Sequence, residues 1–126
     1  MLDGQVMPNP LVDDWIGYCA AGSDVSDPRF AAWEKVDDLV RRDPESGWSL
    51  ILELITAAAD DKILANVAAG PLEDLLSRDA DRFLEKVELE ARRDPKFRRC
   101  LTGLWGLPQQ LKDRLAKYTS TVLNPL

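Results

Sequence analysis

The side chains of this sequence that could do chemistry are mostly carboxylates, and no histidine accompanies them. Without an imidazole there is no Ser-His-Asp or Cys-His arrangement, no His-ligated zinc or iron, and no pH switch of the usual kind. The carboxylates fall in adjacent pairs at Asp13-Asp14, Asp37-Asp38, Asp60-Asp61 and Glu73-Asp74. Sequence neighbours diverge around a helix, so none of these pairs is a ready-made catalytic dyad. Two carboxylates from different helices could meet in a cleft, as glycosidases require. Glu85 and Glu88 stand one turn apart, but a di-iron centre needs Glu-x-x-His, so both read as solvated charges. No metal and no cofactor is expected.

The remaining candidates read as structural. Gly70-Pro71 lacks the Gly-x-x-x-x-Gly-Lys-Ser/Thr pattern of a phosphate loop and reads as a turn. Cys19 and Cys100 are too few for a disulfide scaffold and fall on apolar helix faces, which predicts buried free thiols. Charge is unevenly distributed within the net −6. Residues 1–91 carry 20 acidic and 8 basic side chains, whereas residues 92–126 carry 2 and 8. An acidic surface repels phosphates, so nucleic acid is an unlikely partner despite the basic run Arg92, Arg93, Lys96, Arg98 and Arg99 with Lys112, Arg114 and Lys117.

The elements that position these residues are helices. Asn9-Pro10, Asp27-Pro28, Asp43-Pro44 and Asp94-Pro95 each set a capping side chain before a proline suited to the first helical position. Leu11, Val12, Trp15, Ile16 and Cys19 form a helical stripe that Gly22 can close, and Phe30, Trp33, Val36, Leu39 and Val40 form another. From Pro44 to about Ala59 there is almost no polar face, so this helix is expected at the centre. Asp60-Asp61 opens a short helix that Gly70 should close in the left-handed conformation, with Pro71 opening the next. The stripe Leu72, Leu75, Leu76, Ala80, Phe83, Leu84, Val87 and Ala91 fits one helix or two with a break near Asp79. Phe97, Cys100, Leu101, Leu104 and Trp105 form the next stripe, and Leu111, Leu115, Tyr118 and Val122 the last. No alternation marks a strand.

The expectation is one all-α domain over residues 1–126, with 1–8 and 120–126 as loose tails. Seven or eight short helices would form a compact bundle or a short stack of helical hairpins. Asp27-Pro28 before Trp33, Asp43-Pro44 before Trp48 and Asp94-Pro95 before Trp105 hint at a HEAT-like repeat, although the tryptophan offsets disagree. No apolar run approaches the ~20 residues of a membrane span, and Met1 to Pro10 lacks the features of a signal peptide. The expected location is cytoplasmic.

The run Ala69-Gly70-Pro71-Leu72-Glu73-Asp74-Leu75-Leu76, followed by Phe83, Glu88, Ala91, Asp94-Pro95-Lys96-Phe97 and Trp105, resembles a bacterial family known only as a domain of unknown function. The similarity spans roughly residues 30–106, and members often carry His-Gly where this chain has Arg78-Asp79. The resemblance brings no activity and no functional residue with it.

These features favour a non-enzymatic protein-binding domain. An immunity or antitoxin protein that neutralises a cationic toxin fits best, with Asp37, Asp38, Asp60, Asp61, Glu73 and Asp74 as contacts that steer association and mimic phosphates. One alternative is an oligomerising structural or regulatory scaffold that docks through the basic C-terminal segment. The other is an unrecognised enzyme that uses carboxylates.

Overall fold

The computed structural model describes residues 9–126. Among them are seven α-helices and no strand: α1 (Pro10–Ala20), α2 (Phe30–Arg42), α3 (Pro44–Ala57), α4 (Asp61–Val67), α5 (Glu73–Arg93), α6 (Pro95–Leu101) and α7 (Gln109–Thr119). A π-helical turn, Ala68–Leu72, joins α4 to α5 without a break, so the seven make six continuous helical stretches rather than seven or eight separate helices. Asp79 has non-helical angles (φ −132°, ψ 39°), so α5 is two helical segments that meet at a kink there, the break expected near this residue. No helix of the described residues is long and apolar enough to cross a membrane.

Three of the four Asx-Pro signals cap helices. The Asn9 side chain accepts from the Leu11 N–H at 3.0 Å, that of Asp43 from Ser46 at 3.3 Å, and that of Asp94 from Lys96 at 2.9 Å, each followed by proline in the first turn. The fourth differs, and α2 begins at Phe30 rather than Pro28. The Asp27 carboxylate is occupied by the Arg29 N–H at 2.8 Å and the Arg29 guanidinium at 2.8 Å, which hold its pKa down to about 2. The Asp27 carbonyl closes a turn onto the Phe30 N–H. Gly22, at φ 106°, ends α1 as expected, with the Ser23 N–H bonded to the Tyr18 carbonyl and the Gly22 N–H to that of Cys19.

Helix α3 is the centre of the fold. It touches α1, α2, α4, α5, α6 and the π turn, and buries Trp48, Leu50, Ile51, Leu54 and Ile55. Trp48 packs against the rings of Phe83 and Phe97, each with its centroid 5.9 Å away. The backbones of α2 and α3 approach so closely at Gly47 that a Cβ there would lie 2.9 Å from the Val40 Cα. Both cysteines are buried and free, and burial pushes the Cys100 thiol up to about 12.

Helix α7 is fastened differently. Leu111, Leu115 and Tyr118 pack inward against α5 and α6, and beside them lies the buried carboxylate of Glu88 on α5. Glu88 Oε1 accepts from Arg114 Nη2 at 3.1 Å. Its Oε2 accepts from the Tyr118 hydroxyl at 3.1 Å and pairs with Lys117 Nζ at 3.2 Å. Glu88 is therefore no solvated charge, contrary to the sequence expectation. Beyond α7, residues 120–126 form no helix but are tied down. Arg99 donates to the carbonyls of Leu123 and Asn124, and the Leu126 N–H donates to the Thr102 hydroxyl at 2.9 Å. Residues 1–8, expected as a tail, lie outside the described residues.

Two measurements check this packing. Trp48→Ala should cost roughly 3 to 5 kcal/mol, because it empties the volume between Phe83 and Phe97; unchanged thermal unfolding would show that the tryptophan does not fill the core. Glu88→Gln should cost about 1.5 to 3 kcal/mol at neutral pH, the usual scale for hydrogen bonds to a charged group. Burial acts to raise the Glu88 pKa, but the hydrogen bonds from Lys117, Tyr118 and Arg114 outweigh it and hold the carboxyl below its ordinary value. Its contribution is thus complete above the ordinary carboxyl range and is lost as pH falls through the lower folded value. The stability gap between wild type and Glu88→Gln should narrow below about pH 4. A gap that stayed constant into strong acid would show that the charge of Glu88 is not what fastens α7.

Candidate binding surface around the π turn

The chain from α4 into α5 contains a proline that a regular helix cannot hold. Pro71 has no N–H to donate, and its ring would press on the carbonyl four residues back. The chain widens into a π turn over Ala68–Leu72 and stays helical, burying Ala68, Pro71 and Leu72. This corrects the expectation for Gly70, which has no left-handed φ and does not close a helix. Single π turns of this kind are often found at functional sites.

Two exposed tryptophans flank the turn. Glu73 follows it directly, and its Oε1 accepts from the backbone N–H groups of both Trp105 and Gly106 at 2.7 Å. A Cβ at Gly106 would lie 2.9 Å from Glu73 Oε2, so a larger residue there would push the carboxylate aside. Gly103 rests on Ala68 of the π turn in the same way. The α6–α7 loop is thereby strapped to the turn, while the Trp105 side chain remains 72% exposed. On α2, Trp33 is 40% exposed and stacks on Phe30 with centroids 5.7 Å apart and planes within 10°. Trp33 lines a cleft of about 80 Å³ with Trp15, Val36, Asp37, Gly70 and Pro71. Each exposed tryptophan thus has a carboxylate beside it, Asp37 or Glu73.

The six acidic candidates all have partners within the fold. Asp37 pairs with Arg41 and Asp38 with Arg42, each at 2.7 Å along α2. Asp60 caps α4 by accepting from the Ile63 N–H at 2.9 Å. Asp61 takes both arms of the Arg99 guanidinium at 2.9 and 2.6 Å, which lowers its pKa. Asp74 accepts from Arg78 at 3.0 Å, and its Oδ2 is buried without a hydrogen-bond partner among the described residues. Asp37 lines a cleft with the Trp33 side chain, and Glu73 holds the backbone that carries Trp105. Trp33 and Trp105 were read as stripe residues in the sequence, and no pattern there marked them as outward-facing.

A second cleft, of about 530 Å³, lies between α5 and α7 and is lined by Glu85, Lys86, Glu88, Leu89, Arg92 and Arg114. Leu89 is half exposed within it. Glu88, held by three donors, is poorly placed to act as a general base there. Among the described residues, no group of three or more Cys, Asp or Glu side chains is arranged to hold a metal ion.

The Glu73 strap is open to direct test. Glu73→Ala should leave the far-UV circular dichroism unchanged and accelerate hydrogen exchange at the Trp105 and Gly106 amides by about tenfold or more, since both lose a charge-assisted bond. Unchanged exchange would mean that the loop is held by something else.

No curated protein and no solved structure matches the chain. Residues 21–122 match a family described as a family of unknown function (DUF6869), and the chain belongs to that family.

Proposed function

We propose that this protein is a non-enzymatic, cytoplasmic protein-binding domain that engages a cationic protein partner through the surface around the π turn. An immunity or antitoxin protein acting on a cationic toxin is the specific role that best fits. The observation that carries this reading is the Glu73 strap, in which a carboxylate fixes a loop whose tryptophan gains little from burial in its own fold. An outward tryptophan on a fixed loop is the usual anchor of a protein interface, because its large rigid surface loses little entropy on binding. The net charge of −6 favours a basic partner by long-range steering. Asp60 caps α4 and Asp61 is taken by Arg99, whereas Asp37 shares a cleft with Trp33 and Glu73 holds the Trp105 loop, so Asp37 and Glu73 are the acidic residues of this surface.

A second reading rests on the α5–α7 cleft. Its half-exposed Leu89 beside Lys86, Arg92 and Arg114 is a docking place for a scaffold that assembles through the basic segment.

The partner should be captured from native cells with tagged full-length protein and then titrated as a purified pair. Trp105→Ala should weaken binding by about tenfold or more, and added salt should slow association. If Trp33→Ala and Trp105→Ala both bind like wild type while Arg92→Glu with Arg114→Glu abolishes binding, the contact is the α5–α7 cleft and this proposal falls.

A further inference from the structure

We propose that the cleft formed by Trp33, Asp37 and Pro71 is an anchor for a single arginine side chain of the protein partner. The inference rests on the protein-binding reading and specifies what its surface receives.

At about 80 Å³ the cleft has room for the head of one side chain and not for a folded peptide. Its lining is apolar except for one carboxylate. Trp33 is its exposed aromatic wall, the buried Trp15, Val36 and Pro71 close its floor, Gly70 adds backbone, and Asp37 supplies the charge. An aromatic wall beside a carboxylate matches a guanidinium, which is planar, weakly hydrated, stacks on indole rings and pairs with carboxylate oxygens through a fork of N–H donors. A lysine ammonium is more strongly hydrated and fits such a slot less well.

The wall is set in advance. Stacking on Phe30 fixes the Trp33 indole, so the ring need not be ordered when a guest arrives. The carboxylate already accepts a guanidinium in the free protein. Arg41 Nη2 lies 2.7 Å from Asp37 Oδ2, and Arg41 Nε donates to the Asp37 carbonyl at 3.4 Å. That pair is an exposed i,i+4 contact of the weak, exchangeable kind. Asp37 Oδ1 has no hydrogen-bond partner among the described residues.

The probes are Nα-acetyl-arginine amide, its uncharged isostere Nα-acetyl-citrulline amide, and Nα-acetyl-lysine amide, each titrated into ¹⁵N-labelled full-length protein. The indole N–H of Trp33 is assigned by its loss in Trp33→Phe. Arginine amide should shift that resonance saturably. Citrulline amide should bind at least about tenfold more weakly, as should arginine amide to Asp37→Asn, because both lose the charge-assisted pair. Lysine amide should rank between the two. Equal binding of arginine and citrulline amides, a shift confined to Trp105, or no saturation would overturn the assignment. The purified partner separates this inference from the reading beneath it. Partner affinity that falls in Asp37→Asn supports the arginine anchor. Affinity unchanged in Asp37→Asn but lost in Trp105→Ala leaves the surface standing and overturns the anchor.

Discussion

Pro71 is the constraint on which the upper part of this molecule depends. Placed inside a helical run with no N–H to give, it requires either a break in the chain or a wider turn. The wider turn keeps α4 and α5 in one continuous path and buries the proline ring with Ala68 and Leu72. Glu73, in the first turn beyond, is then near enough to take the backbone of the α6–α7 loop. Gly70 and Pro71 also form part of the cleft beside Trp33. One local conflict between a residue and its helix therefore governs the surroundings of both exposed tryptophans.

The charges of this chain serve two ends. Asp43, Asp60 and Asp94 cap helices, Asp61 joins α4 to α6 through Arg99, and Glu45 on α3 joins α5 through Arg82 and Lys86. Glu88 is the one buried charged residue among those described, and three donors from α7 surround it. An unpaired carboxylate at that position would be strongly unfavourable. The cations gathered at the C-terminal end of the sequence are thus partly structural, since Arg99, Arg114 and Lys117 neutralise acids from the first 91 residues.

Much of the fold was legible because capping and helical periodicity are local. Asn9, Asp43 and Asp94 read correctly as caps, since a side chain needs to reach only two or three residues ahead. Asp27 makes the same bond two residues ahead, to the Arg29 N–H, but the chain first closes a turn from the Asp27 carbonyl to the Phe30 N–H and α2 begins only at Phe30. Glu88 was within reach of the pattern. It stands four residues after Leu84 and three before Ala91, on the apolar stripe, and a charge on that face needs a buried partner. The surface around the π turn was not legible. It depends on the distance between Glu73 and a loop more than thirty residues away, and on Gly70-Pro71 widening a helix instead of ending it.

The exposure of Trp105 sets it apart from the tryptophans of the core. Tryptophans that serve folding are inside this molecule: Trp15 and Trp48 are almost wholly buried and contact rings or aliphatic chains of other helices. Trp105 gains little by that route, and a loop tip selected only for folding would do as well with a small polar residue. Yet two hydrogen bonds to the Glu73 carboxylate, from the Trp105 N–H and that of Gly106, hold its backbone. Fixing the backbone lowers the entropy lost when the indole is gripped from outside and contributes little to the hydrophobic core. The ordered backbone and the unburied ring together are what support the proposed use of this residue in binding a partner.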